Sequence, residues 1–230
     1  MTMVKVMSGG AAAAVVRAVQ DRFQQETGAQ VDGTYSAVGQ MRDQLLGGTP
    51  CDLVILTRPL IDQLVASGHV RAGSDRSLGL VRTGVAVKAG ARHPHIDSRE
   101  ALAEAFGSAA EIYYPDPQKA TAGIHFMNVL KALGLDQSPS LRPYPNGATA
   151  MGEMAKSARG DVIGCTQEAE INHKPRGELV GSLPKEFELS TDYVLAVCTK
   201  AQQPELAQQL ADLVAGPASE AVRRQGGFAF

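Results

Sequence analysis

The sequence predicts an α/β protein of mainly parallel sheets flanked by helices, and three observations predict it. First, the opening stretch VKVMSGGAAAA (residues 4–14) is an alternating, β-capable run. It breaks at a small-residue turn and passes directly into an amphipathic helix, where Val15, Ala18, Val19 and Phe23 recur at helical spacing. Second, strand and helix signals alternate as β-α-β-α-β-α through residue 67, the order of parallel strands joined by crossover helices. Third, the rhythm changes near Thr83, where two β-rich runs meet with no helix between them, marking a crossing from one lobe to another.

Taken in order, Gly28 is placed to stop the first helix. Residues 29–35 (AQVDGTY) read as a second strand, 36–39 as a loop of small residues, and 40–46 as a short helix ended by Gly47-Gly48. Residues 52–56 (DLVIL) form the apolar run expected of a parallel strand buried on both faces. Thr57-Arg58-Pro59 then starts a helix over 60–67, with proline at an early position. Within LGLVRTGVAVK (78–88) the two β-rich runs meet at Thr83-Gly84, and Ser98 caps a helix running to residue 106. EIYY (111–114) is a core strand ended by Pro115-Asp116-Pro117. Thr121-Ala122-Gly123 opens a helix with Ile124, Met127, Leu130 and Leu133 on one face. Tyr144 closes a short strand, Asn146-Gly147 begins another helix, and DVIGC (161–165) enters Thr166-Gln167-Glu168. VLAVC (194–198) is the last strong strand, and helices over 204–215 and up to residue 225 finish the chain.

With 44% hydrophobic and 20% charged residues, a packed core is expected and disorder is not. A net charge of −2, the lack of any Lys/Arg run and 5% aromatic residues exclude a nucleic-acid-binding surface. The three cysteines (Cys51, Cys165, Cys198) are odd in number and lack a C-x-x-C spacing, so neither a zinc ribbon nor a disulfide framework is indicated. Each reads as a small buried hydrophobe. No apolar run approaches about 18 residues, so direct membrane insertion is not expected. The first strand starts almost at Met1 and leaves no room for a signal peptide. The chain is then cytoplasmic if it truly starts there, or periplasmic if it is a mature form with an added start.

The candidate chemistry is anion binding. The first N–H groups of a helix have no intrahelical partner, and Ser8-Gly9-Gly10 puts almost no side chain in front of them. The helix dipole adds partial positive charge, so a strand–small turn–helix unit is a ready anion cradle or, without a ligand, an ordinary tight turn. Thr121-Ala122-Gly123 forms a second such unit. Arg58 directly follows a core strand, at the carboxyl end where open α/β sheets hold ligands; it is either a solvated helix-start arginine or a bidentate carboxylate clamp. His125, near the start of the second cradle, is either structural or an acid/base group. Cys165 as a nucleophile lacks an identifiable base and reads as packing. Asp32 lies where a dinucleotide fold would put its acidic residue, but G-x-G-x-x-G is absent, as are the P-loop, G-x-S-x-G and H-E-x-x-H signatures. His93-Pro94-His95 has no carboxylate or cysteine nearby in sequence. Neither a metal nor a cofactor is indicated.

The string VKVMSGGAAAAVVRAVQDRFQQETG, residues 47–55 (GGTPCDLVI), Tyr114-Pro115-Asp116-Pro117 with Ala122-Gly123-Ile124, and the terminal GGF resemble the molybdate-binding (ModA-type) branch of bacterial extracellular solute-binding proteins. The resemblance covers almost the whole chain. It implies the type 2 periplasmic-binding fold: two α/β lobes, 1–82 plus 190–230 and 83–189, with an anion held in a cleft between them. It also implies an ABC-type membrane permease as partner. From the two cradles, Arg58 and this likeness together, the expected ligand-binding residues are Ser8, Gly9, Gly10, Ala11, Ser36, Ala37, Val38, Arg58, Thr121, Ala122, Asn146 and Thr166.

The chain departs from the molybdate pattern in three places. Ala11 stands where such proteins use a serine at the first helix start, Ala37-Val38-Gly39 where they have a serine-rich loop, and Gly164-Cys165 near a tyrosine position. A tetrahedral oxyanion would lose several hydroxyl donors, each charge-assisted bond being worth roughly 1.5–3 kcal/mol. An organic di- or tricarboxylate is therefore expected in place of molybdate. Two readings follow: a binding protein that delivers this ligand to a transporter, or an isomerase on the same scaffold. The second resembles aconitate isomerases, which move a proton within a tricarboxylate; His125, Lys119 or Glu168 would then supply the base.

Overall fold

The computed structural model describes residues 2–172 and 177–230. In chain order the first elements are β1 (Met3–Gly9), α1 (Ala13–Thr27), β2 (Gln30–Ser36), α2 (Val38–Leu46), β3 (Leu53–Thr57), α3 (Arg58–Ala66) and β4 (Arg76–Val87). They are followed by α4 (Arg99–Ser108), β5 (Glu111–Pro115), α5 (Thr121–Ala132), β6 (Leu141–Tyr144), α6 (Gly147–Lys156), β7 (Val162–Gln167), α7 (Glu168–Ile171) and β8 (Glu178–Ser182). The chain closes with β9 (Ser190–Val197), α8 (Pro204–Ala215) and α9 (Glu220–Gln225). It divides into two compact units, Met1–Val81 with Thr191–Phe230, and Arg82–Ser190.

In the first unit β1 is central. β2 lies parallel on one side, in register from Met3↔Gln30 to Gly9↔Ser36, and β3 parallel on the other, with Ser8↔Ile55. β9 runs antiparallel to β3, pairing Leu53↔Val197 and Thr57↔Tyr193. Every residue of β3 is buried, as its unbroken apolar run requires. α1 buries Val15, Val16, Val19 and Phe23 and ends where Gly28 takes a φ of 72°, donating its N–H to Gln24 O at 2.8 Å. The closing helices are pinned by Arg223. Its buried guanidinium donates to Leu78 O (2.9 Å), Ser219 Oγ (3.0 Å) and the carbonyls of Ala215 and Gly216 (both 3.1 Å) at the C-terminal end of α8.

In the second unit β5 is central, parallel to β6 (Ile112↔Leu141 to Pro115↔Tyr144) and to β7 (Ile112↔Ile163). β7 pairs antiparallel with β4 from Thr83↔Gln167 to Val87↔Ile163. The core on one side gathers Leu102, Phe106, Ile112, Phe126 and Leu130, with Phe106 and Phe126 ring centroids 4.9 Å apart and Tyr114 edge-on to Phe126 at 5.5 Å. Ser98 caps α4 by accepting from Ala101 N–H.

Four elements differ from the sequence reading. The two β-rich runs at Thr83-Gly84 form one unbroken strand, β4, paired with β7 and β8 from Thr83 to Val87 and bridged to Ala229 at Leu80. α2 and α3 begin two residues earlier than expected, which puts Val38 and Arg58 in first turns. β8 was not anticipated: ELVGS is half-buried throughout and has no alternation to announce it, and it is held as a strand by pairing with β4. Among the described residues no helix is long and apolar enough to cross a membrane.

Candidate functional site

In the first unit the register of the three parallel strands brings their carboxyl ends to one edge. Gly9 lies opposite Ser36, and Thr57 is two residues past the Ser8↔Ile55 pair. A helical segment begins directly beyond each end: a 3₁₀ turn at Gly10–Ala12 leading into α1, then α2 at Val38 and α3 at Arg58. None of the three has a side-chain cap. Gly9 and Ala37 have no side-chain oxygen to offer, and the Thr57 hydroxyl does not turn onto the helix. Three sets of first-turn N–H groups thus share one edge without the usual internal acceptor.

The small residues there are required by close packing. A Cβ at Gly9 would stand 2.7 Å from Val38 Cγ1 and 3.0 Å from Tyr193 Cε1, so the ends of β1 and β9 and the start of α2 meet over it. Tyr193 is the residue that sequence reasoning missed. Its place follows from its pairing with Thr57, which no local pattern reveals. Ser8 is fully buried and donates to Gly9 O (2.9 Å), while Ser36 donates to Gln40 Oε1 (2.7 Å). Ala11, Ala37 and Val38 are buried, and Gly10 is half-buried.

Arg58 sits at the same edge but is held by carboxylates of its own unit. Its Nη1 donates to Asp75 Oδ2 (2.8 Å), its Nε to Asp192 Oδ2 (3.3 Å), and Asp62 lies 3.6 Å away. The bond to Asp75 raises the basicity of Arg58, and Arg58 in turn holds the Asp75 carboxyl below the usual carboxylate range. Ser77 donates to the other oxygen of Asp192. A ligand carboxylate at Arg58 has to compete with these partners.

In the second unit the parallel strands end at Pro115, Tyr144 and Gln167. α5 starts without a side-chain cap, with Ala122 buried and Thr121 half-buried in its first turn. At Gly123 a Cβ would fall 2.3 Å from Pro115 O, so this helix start is seated directly on the end of β5. The start of α6 is occupied internally. Asn146 Oδ1 accepts from Thr149 N–H (2.8 Å), and the buried Glu170 carboxylate lies against Gly147 while accepting from Thr166 Oγ1 (2.6 Å). Asn146 and Thr166 are therefore engaged with the fold itself.

The three candidate bases have different surroundings. His125 Nε2 donates to Phe187 O (2.7 Å), leaving Nδ1 as the atom able to take a proton. Glu168 is buried, accepts from Ser182 Oγ (2.6 Å) and packs on Gly84. Lys119 is exposed, in a turn where Asp116 Oδ1 accepts its backbone N–H (3.0 Å). Cys165 is fully buried in the core, and burial pushes its thiol well above the ordinary range, which suits packing and not nucleophilic attack. Among the described residues no group of three or more His, Cys, Asp or Glu side chains is arranged to hold a metal.

Residues 4–229 match the family described as bacterial extracellular solute-binding protein. The chain belongs to that family. A curated relative, the aconitate isomerase of a Pseudomonas species, is 28% identical over 98% of this chain and 87% of its own length. Among solved structures, the periplasmic molybdate-binding protein of Azotobacter vinelandii matches with a TM-score of 0.81 at 18% identity, covering 99% of both chains. The sulfate-binding protein of Mycobacterium tuberculosis matches with a TM-score of 0.76 at 18% identity, covering 99% of this chain and 86% of its own. The fold of this solute-binding protein is the type 2 periplasmic-binding fold, each unit a mainly parallel sheet with flanking helices.

Proposed function

We propose that this solute-binding protein takes up a small organic di- or tricarboxylate. In this reading the uncapped helix starts of the first unit hold the anion, and the start of α5 is a second candidate anion cradle within its own unit. The observation that carries it is the row of helix starts at Gly10, Val38 and Arg58, all beyond the ends of parallel strands and none with a side-chain cap. Buried Ala11, Ala37 and Val38 give that edge backbone donors without hydroxyls. This favours a ligand whose carboxylates meet N–H groups over a tetrahedral oxyanion that needs hydroxyls. Delivery to an ABC-type permease and an extracytoplasmic location go with this reading, and the family description, an extracellular solute-binding protein, supports the location.

A second reading, an isomerase that shifts a proton within a tricarboxylate, is favoured by the relative named aconitate isomerase. In that reading His125 Nδ1, Glu168 or Lys119 is the base.

A thermal-shift panel of molybdate, sulfate, citrate and the two aconitates tests the proposal. The carboxylates are expected to stabilise the protein by about 2.7 kcal/mol at 100 times their dissociation constant, and molybdate not to. Stabilisation by molybdate alone overturns it. Spectroscopic loss of cis-aconitate on incubation supports the isomerase reading; an unchanged spectrum at high protein concentration removes that reading and leaves binding intact.

A further inference from the structure

A cavity of about 470 Å³ opens in the first unit at the amino-terminal end of β3, the opposite end from the helix starts. Cys51, Cys198, Pro50, Gly68, His69 and Lys200 are among its lining residues. The ladder brings the two cysteines together across 147 residues of sequence: Leu53↔Val197 is its last pair, and Cys198 N–H then donates to Asp52 O at 2.9 Å. The two side chains lie close enough for Cys51 to perturb the Cys198 thiol. Both are free thiols, Cys51 just ahead of β3 and Cys198 just after β9 in a bridge to Val70. Cys51 also donates to Leu53 O (3.2 Å).

We propose that Cys51 and Cys198 form a redox-active dithiol, oxidised to an intramolecular disulfide by a small organic disulfide that bears carboxylates and enters this cavity. Lys200 on the wall selects the negative charge of the reagent. Cys51 attacks first because it is the less buried of the two, 5% exposed against 1%, while the Cys51 side chain and burial push the Cys198 thiol up. The Cys51 sulfur, its proton lost to solvent, bonds to one sulfur of the reagent and expels the other as a thiolate. Cys198 then gives up its proton and attacks the Cys51 sulfur, expelling the second thiolate. Two S–H bonds become one S–S bond, and the reagent leaves as two thiols carrying the two protons and two electrons.

The test is to incubate the reduced full-length protein with oxidised glutathione, quench in acid and map the masses. The expected product has lost two hydrogens, retains no glutathione and yields a linked Cys51–Cys198 peptide, with Cys165 still a thiol. Cys198→Ser is expected to stop at one glutathione on Cys51, and Cys51→Ser to take none on Cys198. Cystamine, a cationic disulfide, is expected to react about tenfold more slowly. The proposal is overturned if the wild type keeps both thiols, retains an adduct or links Cys165, and the charge selection is overturned if cystamine reacts as fast. Mapping the wild type decides the matter even where a variant fails to fold.

Discussion

Gly147→Ala is expected to lower the unfolding free energy by about 3 kcal/mol, the combined scale of an overpacked site and a broken charged hydrogen bond. The added Cβ would stand 2.0 Å from Glu170 Oε2 and 2.1 Å from Thr166 Oγ1. Both atoms are buried and bonded to each other at 2.6 Å, so neither can swing into solvent. The methyl group must expel the carboxylate from the positive end of α6 or push that helix off the sheet. Gly152 in the same helix has open space around its Cβ position, so Gly152→Ala is expected to be neutral or to stabilise by up to about 1 kcal/mol. Urea titration of the pair isolates the steric effect from the Gly-to-Ala change itself. A Gly147→Ala loss below about 1 kcal/mol would mean that Glu170 has somewhere else to go.

The second large effect is at Asp52, whose side chain joins three separate segments. Asp52 is 2% exposed. One carboxylate oxygen accepts from Lys5 N–H (2.8 Å), and the other from Gln202 (2.6 Å) and Gln203 (3.0 Å) N–H just ahead of α8. Asp52→Ala leaves these three donors without their acceptor and removes the negative charge from the start of α8. A loss of about 3 kcal/mol is expected, with about half of it recovered in Asp52→Asn, which keeps one carbonyl oxygen. Equal stability of the Ala and Asn variants would show that the acceptor geometry contributes nothing.

Local sequence made the repeating unit legible. The small-residue break after β1, the Gly28 stop, the Ser98 cap and the helix over 204–215 each rest on residues close together in the chain, and each is present in the structure. What local sequence did not reveal depends on distant partners. Arg58 reads in isolation as an available cation; Asp75 and Asp192, 17 and 134 residues away, bind it. Asn146 and Thr166 read as ligand contacts, yet the structure brings Glu170 and Gly147 to them. Tyr193 reaches the end of β1 only through an antiparallel register set by β3. Strand ends and helix starts could be read from propensity, whereas the identity of the internal acceptors required the tertiary fold.

The central claim is that backbone N–H groups at uncapped helix starts hold a carboxylate ligand. Titrating ¹⁵N-labelled protein with trans-aconitate while following its amide resonances tests this most directly. The account predicts saturable shifts concentrated at Gly9, Gly10, Ala11, Ala37 and Val38, with a second group at Thr121, Ala122 and Gly123. Saturable binding that leaves those amides unmoved and shifts resonances elsewhere would contradict it.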